Sequence, residues 1–328
     1  MNNTFHHKDL NDKSFLVTGG AGFIGSHIAE YLLKNGAKKV RVLDNMANGF
    51  QSNLDILKSY PAFEFVEGDI RNLQTCQQAC HGIDYVTHQA ALGSVPRSIK
   101  DPQTTNDVNV GGFVNMLKAS VDNNIKRFVY ASSSSVFGDE PTLPKKEDRI
   151  GNCLSPYALS KRVDEMYAQV FADIYKIPVI GLRYFNIFGP RQDPEGPYAA
   201  VIPLFIKGII NKTPVYINGD GEQTRDFTFV ENAVQVNIKA MLADNKEASN
   251  KIYNVAVGES FSVNAVYDVI KKYLNKEHTP TYREPRASDV KNSLADISLA
   301  KNLLNYQPTT KFEAGLVTTI EYFKKNNS

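Results

Sequence analysis

Residues Phe15 to Gly25 read F-L-V-T-G-G-A-G-F-I-G, an apolar run that ends in three glycines at three-residue spacing, Gly19, Gly22 and Gly25. No other stretch restricts the fold as much. An amphipathic pattern follows, with Ile28, Leu32 and Leu33 on one side, so the stretch reads as strand, tight turn and helix. A Cβ would obstruct the turn, the approach of a phosphate and the helix–strand contact in turn. The helix N-terminus then faces a pyrophosphate. A glycine-rich turn without a ligand can look the same, so context decides. Here a second strand-like run, Val40-Arg-Val-Leu-Asp44, ends in a carboxylate nineteen residues after Gly25. A carboxylate at that point accepts from adenosine ribose hydroxyls and repels a 2′-phosphate, which favours NAD over NADP.

At 328 residues the chain can hold one large domain or two ordinary ones, and 42% apolar content suffices for a sizeable core. The net charge is +2 with the two signs mixed, so no basic stripe points to nucleic acid or to an anionic membrane. The longest apolar run, near Tyr198 to Ile210, is broken by Pro203 and Lys207 and is too short to span a bilayer. The first ten residues lack the apolar core of a secretion signal. Three cysteines, Cys76, Cys80 and Cys153, have no Cys/His pair to complete a metal site, and they read as reduced thiols of a cytosolic protein. No metal is expected.

Strand-like runs at 14–18, 39–44, 63–67, 84–91, 126–132 and 178–184 alternate with helical patterns at 23–35, 51–59, 71–80, 101–123 and 155–176. That alternation predicts an α/β fold with a doubly wound parallel sheet of the Rossmann type, covered on both faces. Ligands of such sheets sit at the carboxyl ends of the strands. After the third strand stand Asp69, which can accept from an adenine amino group or cap the next helix, and Ile70, which can pack on the ring. After the fourth come Gln89, Ala90 and Ala91, small enough in part to let the chain pass close to a cofactor, then Gly93 and Ser94 within reach of a substrate. Asn109, in the next helix, can brace that loop.

After the fifth strand come Ser132, Ser133, Ser134 and Ser135, an unusual run of hydroxyls at a buried strand end. Ser155 suits a helix N-cap and Pro156 a first turn, and Tyr157 and Lys161 are then one turn apart on one face. An ammonium beside a phenol favours the phenolate and suits the pair to moving a proton near neutral pH.

The G-x-x-G-x-x-G turn, the acidic second-strand end, S-S-S before V-F-G, and Y-x-x-x-K together resemble the extended short-chain dehydrogenase/reductase family, and more closely its nucleotide-sugar 4-epimerase group. The resemblance covers roughly residues 13 to 325. It implies that Tyr157 removes the proton of the sugar 4-hydroxyl, with Ser133 as relay, while Lys161 holds the nicotinamide ribose. Hydride passes from sugar C4 to a tightly bound NAD and returns on the other face after the 4-keto sugar turns. The cofactor set it implies includes Phe23, Ile24, Asn45 and Gly49, with Tyr184 closing over the nicotinamide.

On the substrate side the resemblance implies Asn186 at the diphosphate, Gln192, Ala200 and Val201 around the sugar and base, and Tyr216 with Asn218 near uracil. Arg225 and Arg286 would clamp the diphosphate, for which the guanidinium fork is suited, and Asp289 would take the ribose hydroxyls. Ser134 and Ser135, with no carboxylate beside them, argue against a dehydratase, whose elimination needs an acid and a base there. A binding-only regulator would usually have lost Tyr157 or Lys161. Ser293 stands where hexose-restricted members carry a bulky residue, and a serine leaves space for a 2-acetamido group. The expected substrate is therefore UDP-N-acetylglucosamine or its C4 epimer, with UDP-glucose and UDP-galactose as the alternative.

A nucleotide domain over 1–182 is expected, with 229–257 returning to it, beside a smaller mixed α/β substrate domain over 183–328. Homodimerisation through the helices at 101–123 and 155–176 is expected from the family. Phe113, Leu117, Met166 and Val170 mark apolar stripes there that serve equally well as core.

Overall fold

The structure is a computed structural model that describes residues 4–195, 199–285 and 291–326. Strands β1 (Ser14–Thr18), β2 (Lys39–Asp44), β3 (Phe63–Glu67), β4 (Tyr85–His88), β5 (Arg127–Ser133) and β6 (Val179–Tyr184) form one sheet with a seventh strand, Lys251–Val255. The order is 251–255, β6, β5, β4, β1, β2, β3, and every pair is parallel. This is the doubly wound sheet the alternation predicts. The order reverses between β1 and β4, which opens a crevice at their carboxyl ends.

Helices α1 (Phe23–Lys34), α2 (Gln51–Leu57), α3 (Leu73–Cys80), α4 (Val95–Lys100), α5 (Pro102–Asn106), α6 (Gly112–Asp122) and α7 (Pro156–Tyr175) precede β6. After it come α8 (Val201–Asn211), α9 (Val230–Met241), α10 (Val263–Leu274), α11 (Ser298–Leu304) and α12 (Phe312–Asn326). Strand alternation sends side chains to two cores. Phe15 and Val17 of β1 meet Ile28 and Leu32 of α1 and Val234 and Ile238 of α9 on one face. Leu16 meets Cys76, Phe113, Leu117 and Ala168 on the other. A third core joins α8, α10 and α12 around Phe188, Phe227 and Phe312.

Four departures from the periodicity have local causes. The pattern at 101–123 is several elements: Asp101 accepts from Thr104 N at 3.0 Å and caps α5, and a wide π-turn at 107–111 separates α5 from α6. The helix expected from 71 starts at Leu73, because Asn72 caps it by accepting from Thr75 N at 3.0 Å. Asp69 is therefore not the cap. β4 stops at His88, and residues 89–91 leave the sheet for the crevice. Finally, Phe113 and Leu117 are wholly buried in the monomer core, so they do not belong to an outward stripe, whereas Met166 and Val170 are 57% and 48% exposed.

The apolar run near 198–210 largely becomes α8, eleven residues long, with Pro203 in its first turn where a missing N–H is tolerated. Among the described residues no helix is long and apolar enough to cross a membrane. Cys76 and Cys80 are buried free thiols, both pushed up to about 12 by burial.

Candidate active site at the reversal of strand order

The crevice is a cavity of about 920 Å³ that begins at the glycine turn. Gly19 has φ +68°, and a Cβ there would lie 2.7 Å from Ala90 N. A Cβ on Gly25 would strike the Gly19 carbonyl. Gly22 caps α1 with no side-chain partner, which leaves the helix N-terminus at Phe23, Ile24 and Gly25 facing the cavity. This cradle fits a pyrophosphate. Gly25→Ala is accordingly expected to strip the chain of dinucleotide at a stability loss of roughly 1–3 kcal/mol. Gly93→Ala, with nothing within 4 Å of the added atom, should leave nucleotide content unchanged. Chromatography of the nucleotide released on denaturation compares the two.

Asp44 closes the adenosine side. Its Oδ2 accepts from Ala21 N at 3.0 Å and its Oδ1 from Met46 N at 2.8 Å, and burial pushes its carboxyl up. Each oxygen keeps a lone pair for a hydroxyl. Gly49 lies against it. Asn45 donates to Asp69 Oδ2 at 2.9 Å, and the hydrogen-bonded Arg71 guanidinium holds Asp69 down to about 2. Ile70 is buried beside Gly112 and lines the cavity.

At the end of β4 a polar triad spans distant segments. Tyr184 donates to Gln89 Oε1 at 2.9 Å, while Asn237 donates to the Tyr184 hydroxyl at 2.7 Å. Gln89 also donates to Asn237 Oδ1 at 3.1 Å. The triad anchors Tyr184 at the cavity wall beside Ala90 and Ala91. Asn109 does not line the cavity; it brackets Leu92, accepting from its N–H at 2.8 Å and donating to its carbonyl at 3.3 Å. Asn109 lies within the π-turn. Gly93 lines the cavity, as does Ser94, which caps α4 by accepting from Arg97 N at 3.1 Å.

Ser133, Tyr157 and Lys161 line the same cavity. Ser155 caps α7, accepting from Ala158 N at 3.1 Å, and Tyr157 N donates to Ser98 at 3.0 Å. Lys161 donates to the Ala131 carbonyl at 3.0 Å. Ser133 accepts from Ser135 N and donates to Ser135 Oγ, both at 3.1 Å. Behind them Ser132 donates to Glu165 at 2.7 Å, and Arg183 grips the same carboxylate at 2.8 and 2.9 Å. That buried ion pair locks α7 onto β5 and β6.

Asn186, at φ +38°, lines both the cavity and a second pocket of about 190 Å³ that Ser134, Ser135, Lys145, Arg225, Asn292 and Ser293 also line. Arg225 donates to the Thr224 carbonyl at 2.9 Å. Gln192 and Ala200 line the large cavity, and Gln192 Oε1 is buried with no partner among the described residues. Val201 opens α8 next to them. Arg191 turns to α1, where it pairs with Glu30. Tyr216 is 41% exposed with the Arg283 guanidinium 3.1 Å above its ring, and Asn218 pairs with Arg283 in a short parallel ladder. Neither lines the two pockets. Arg286 and Asp289 lie outside the described residues. Asn237, Lys145 and Asp164 carry no signal in the sequence and reach the site only through tertiary contacts.

The model of the NAD dependent epimerase/dehydratase family matches residues 15–256. A putative UDP-glucose 4-epimerase of Methanocaldococcus jannaschii is 37% identical over 95% of this chain and 99% of its own. The crystal structure of a UDP-N-acetylglucosamine 4-epimerase from Methanobrevibacter ruminantium, in complex with UDP-N-acetylmuramic acid, is similar at a TM-score of 0.91 and 38% identity, covering 96% of this chain and 99% of that one. A mutant UDP-glucuronic acid 4-epimerase from Bacillus cereus, in complex with a fluorinated UDP-glucuronic acid and NAD, gives a TM-score of 0.89 at 31% identity over 95% and 99% of the two chains. With its glycine cradle, acidic second-strand end and tyrosine–lysine pair on one cavity, the chain belongs to the NAD-dependent epimerase/dehydratase family, and is a nucleotide-sugar 4-epimerase that uses NAD.

Proposed function

We propose that the chain interconverts UDP-N-acetylglucosamine and UDP-N-acetylgalactosamine at C4 through a transient 4-keto sugar, with NAD retained between turnovers. The observation that carries this reading is that Asn186 lines both the cavity bearing Tyr157, Ser133 and Lys161 and a neighbouring polar pocket. NAD supplies a hydride acceptor that also returns the hydride. Tyr157 takes the 4-hydroxyl proton, Ser133 relays it, and the Lys161 ammonium holds the cofactor ribose. Arg225 and Asn186, with Arg286 and Asp289, hold the UDP, so most binding energy sits away from the reacting ring and the keto sugar can turn.

The side pocket supports the acetylated substrate. Ser134, Asn292 and Ser293 leave polar room there, and in the large cavity Gln192 Oε1, without a partner among the described residues, can accept from a substrate hydroxyl or amide. The plain-hexose reading is second, favoured by the name of the Methanocaldococcus jannaschii relative. Incubation of the protein with UDP-N-acetylglucosamine and with UDP-glucose, followed by resolution of the C4 epimers, tests it: faster conversion of the acetylated sugar is expected, and conversion of UDP-glucose alone would reject it.

We also infer a homodimer. Leu159, Met166, Val170 and Ile174 form an outward apolar stripe on α7, between 48% and 65% exposed, and a stripe at this spacing suits pairing with its own copy. Val170→Asp is expected to turn a dimer into a monomer by light scattering; a wild-type monomer at micromolar concentration would contradict it.

A further inference from the structure

Lys161 has a second partner besides the Ala131 carbonyl. Its ammonium lies 3.3 Å from Oδ2 of Asp164, less than one turn further along α7. Asp164 has no exposed surface, and its Oδ1 has no hydrogen-bond partner among the described residues. A buried carboxylate is ordinarily matched at both oxygens, so this one is held by the ammonium alone. The other groups around it do not relieve it. Glu165, next on the helix, is an anion taken up by Arg183, Arg162 and Ser132. From β5 comes the buried Tyr130 phenol, raised well above its ordinary value by burial and by the two carboxylates. From β4 comes His88, pushed down to about 3 by burial and by Lys161, hence neutral.

We propose that Asp164 is a positioning residue for Lys161, whose carboxylate compensates the ammonium and holds it to α7, and whose protonated form leaves that charge uncompensated beside Tyr157 and the dinucleotide cleft. The inference rests on the role given above to Tyr157 and Lys161, and adds a control that acts near neutral pH. Burial pushes the Asp164 carboxyl up to about 7, against the pull of Lys161. Asn at this position copies the protonated form in shape and charge.

The test has one arm that needs no turnover. In protein labelled with ¹³C at aspartate carboxyls, the Asp164 signal is the one that Asp164→Asn removes. Its midpoint is expected near 7, and Lys161→Met should raise it by about 1 unit or more, since the opposing cation is gone. The second arm compares pH profiles of epimerisation. Wild type should show an inflection near neutrality that Asp164→Asn lacks. A midpoint in the ordinary carboxylate range that ignores Lys161→Met, or superimposable profiles, would overturn the assignment. If the asparagine variant does not fold, the smaller Asp164→Ser is measured in its place. Failure of both to fold would make the carboxylate purely structural and sink the proposal too. Absence of any epimerisation would instead reject the function while leaving the carboxyl titration readable.

Discussion

Replacing Tyr157 by phenylalanine is expected to slow C4 interconversion by about 10²–10⁴-fold while dinucleotide stays bound. The size follows from what the substitution removes. Phenylalanine keeps the ring and loses only the oxygen to which the proposed function gives the proton exchange with the 4-hydroxyl. The helix should not notice, because the hydrogen bonds of Tyr157 in the structure are made by its backbone, N–H to Ser98 at 3.0 Å and carbonyl from Ser160 at 2.8 Å. The cofactor cradle lies at Gly19 and Gly25, on other elements. A rate within threefold of wild type would remove Tyr157 from the chemistry, and loss of nucleotide together with rate would mean that the change acted through folding.

Ser293→Tyr should cost turnover of UDP-N-acetylglucosamine at least about 100-fold in kcat/KM and spare UDP-glucose. Ser293 N donates to the Thr224 carbonyl at 3.0 Å, a bond that any side chain preserves. The new ring must therefore occupy the pocket of about 190 Å³ rather than displace the segment. Under the proposed function, volume taken there competes with the 2-acetamido group and not with a hydroxyl. Equal losses on the two substrates, measured side by side, would show that the pocket does not read that substituent.

The nucleotide half was legible because its demands are local. A turn that admits no Cβ writes glycines at fixed spacing, and strands buried on both faces write apolar runs such as Phe15-Leu-Val. Tyr157 and Lys161 could be paired because helix geometry alone places them on one face. Three classes of feature were not legible. The π-turn at 107–111 has no composition of its own, so the helical pattern over 101–123 read as unbroken, although the bracing role of Asn109 was legible. Partners such as Gln89 and Asn237 are 148 residues apart in the chain and meet only when α9 packs under β4. Burial decides the rest: Met166 and Phe113 sit in similar helical patterns, yet one is 57% exposed and the other fully enclosed. Helix α10 is legible in the helical spacing of Val263, Val266, Tyr267 and Ile270, all of which it buries.

The central claim is that one C4 hydrogen leaves and returns within a single protein-held dinucleotide, governed by Tyr157 and Lys161. Supplying UDP-N-acetylglucosamine deuterated at C4 and resolving the product by mass and NMR tests this directly. The expected product is the C4 epimer with deuterium still at C4 and no exchange with solvent. An epimer that has lost its deuterium to water, or no epimer at all, would contradict the account.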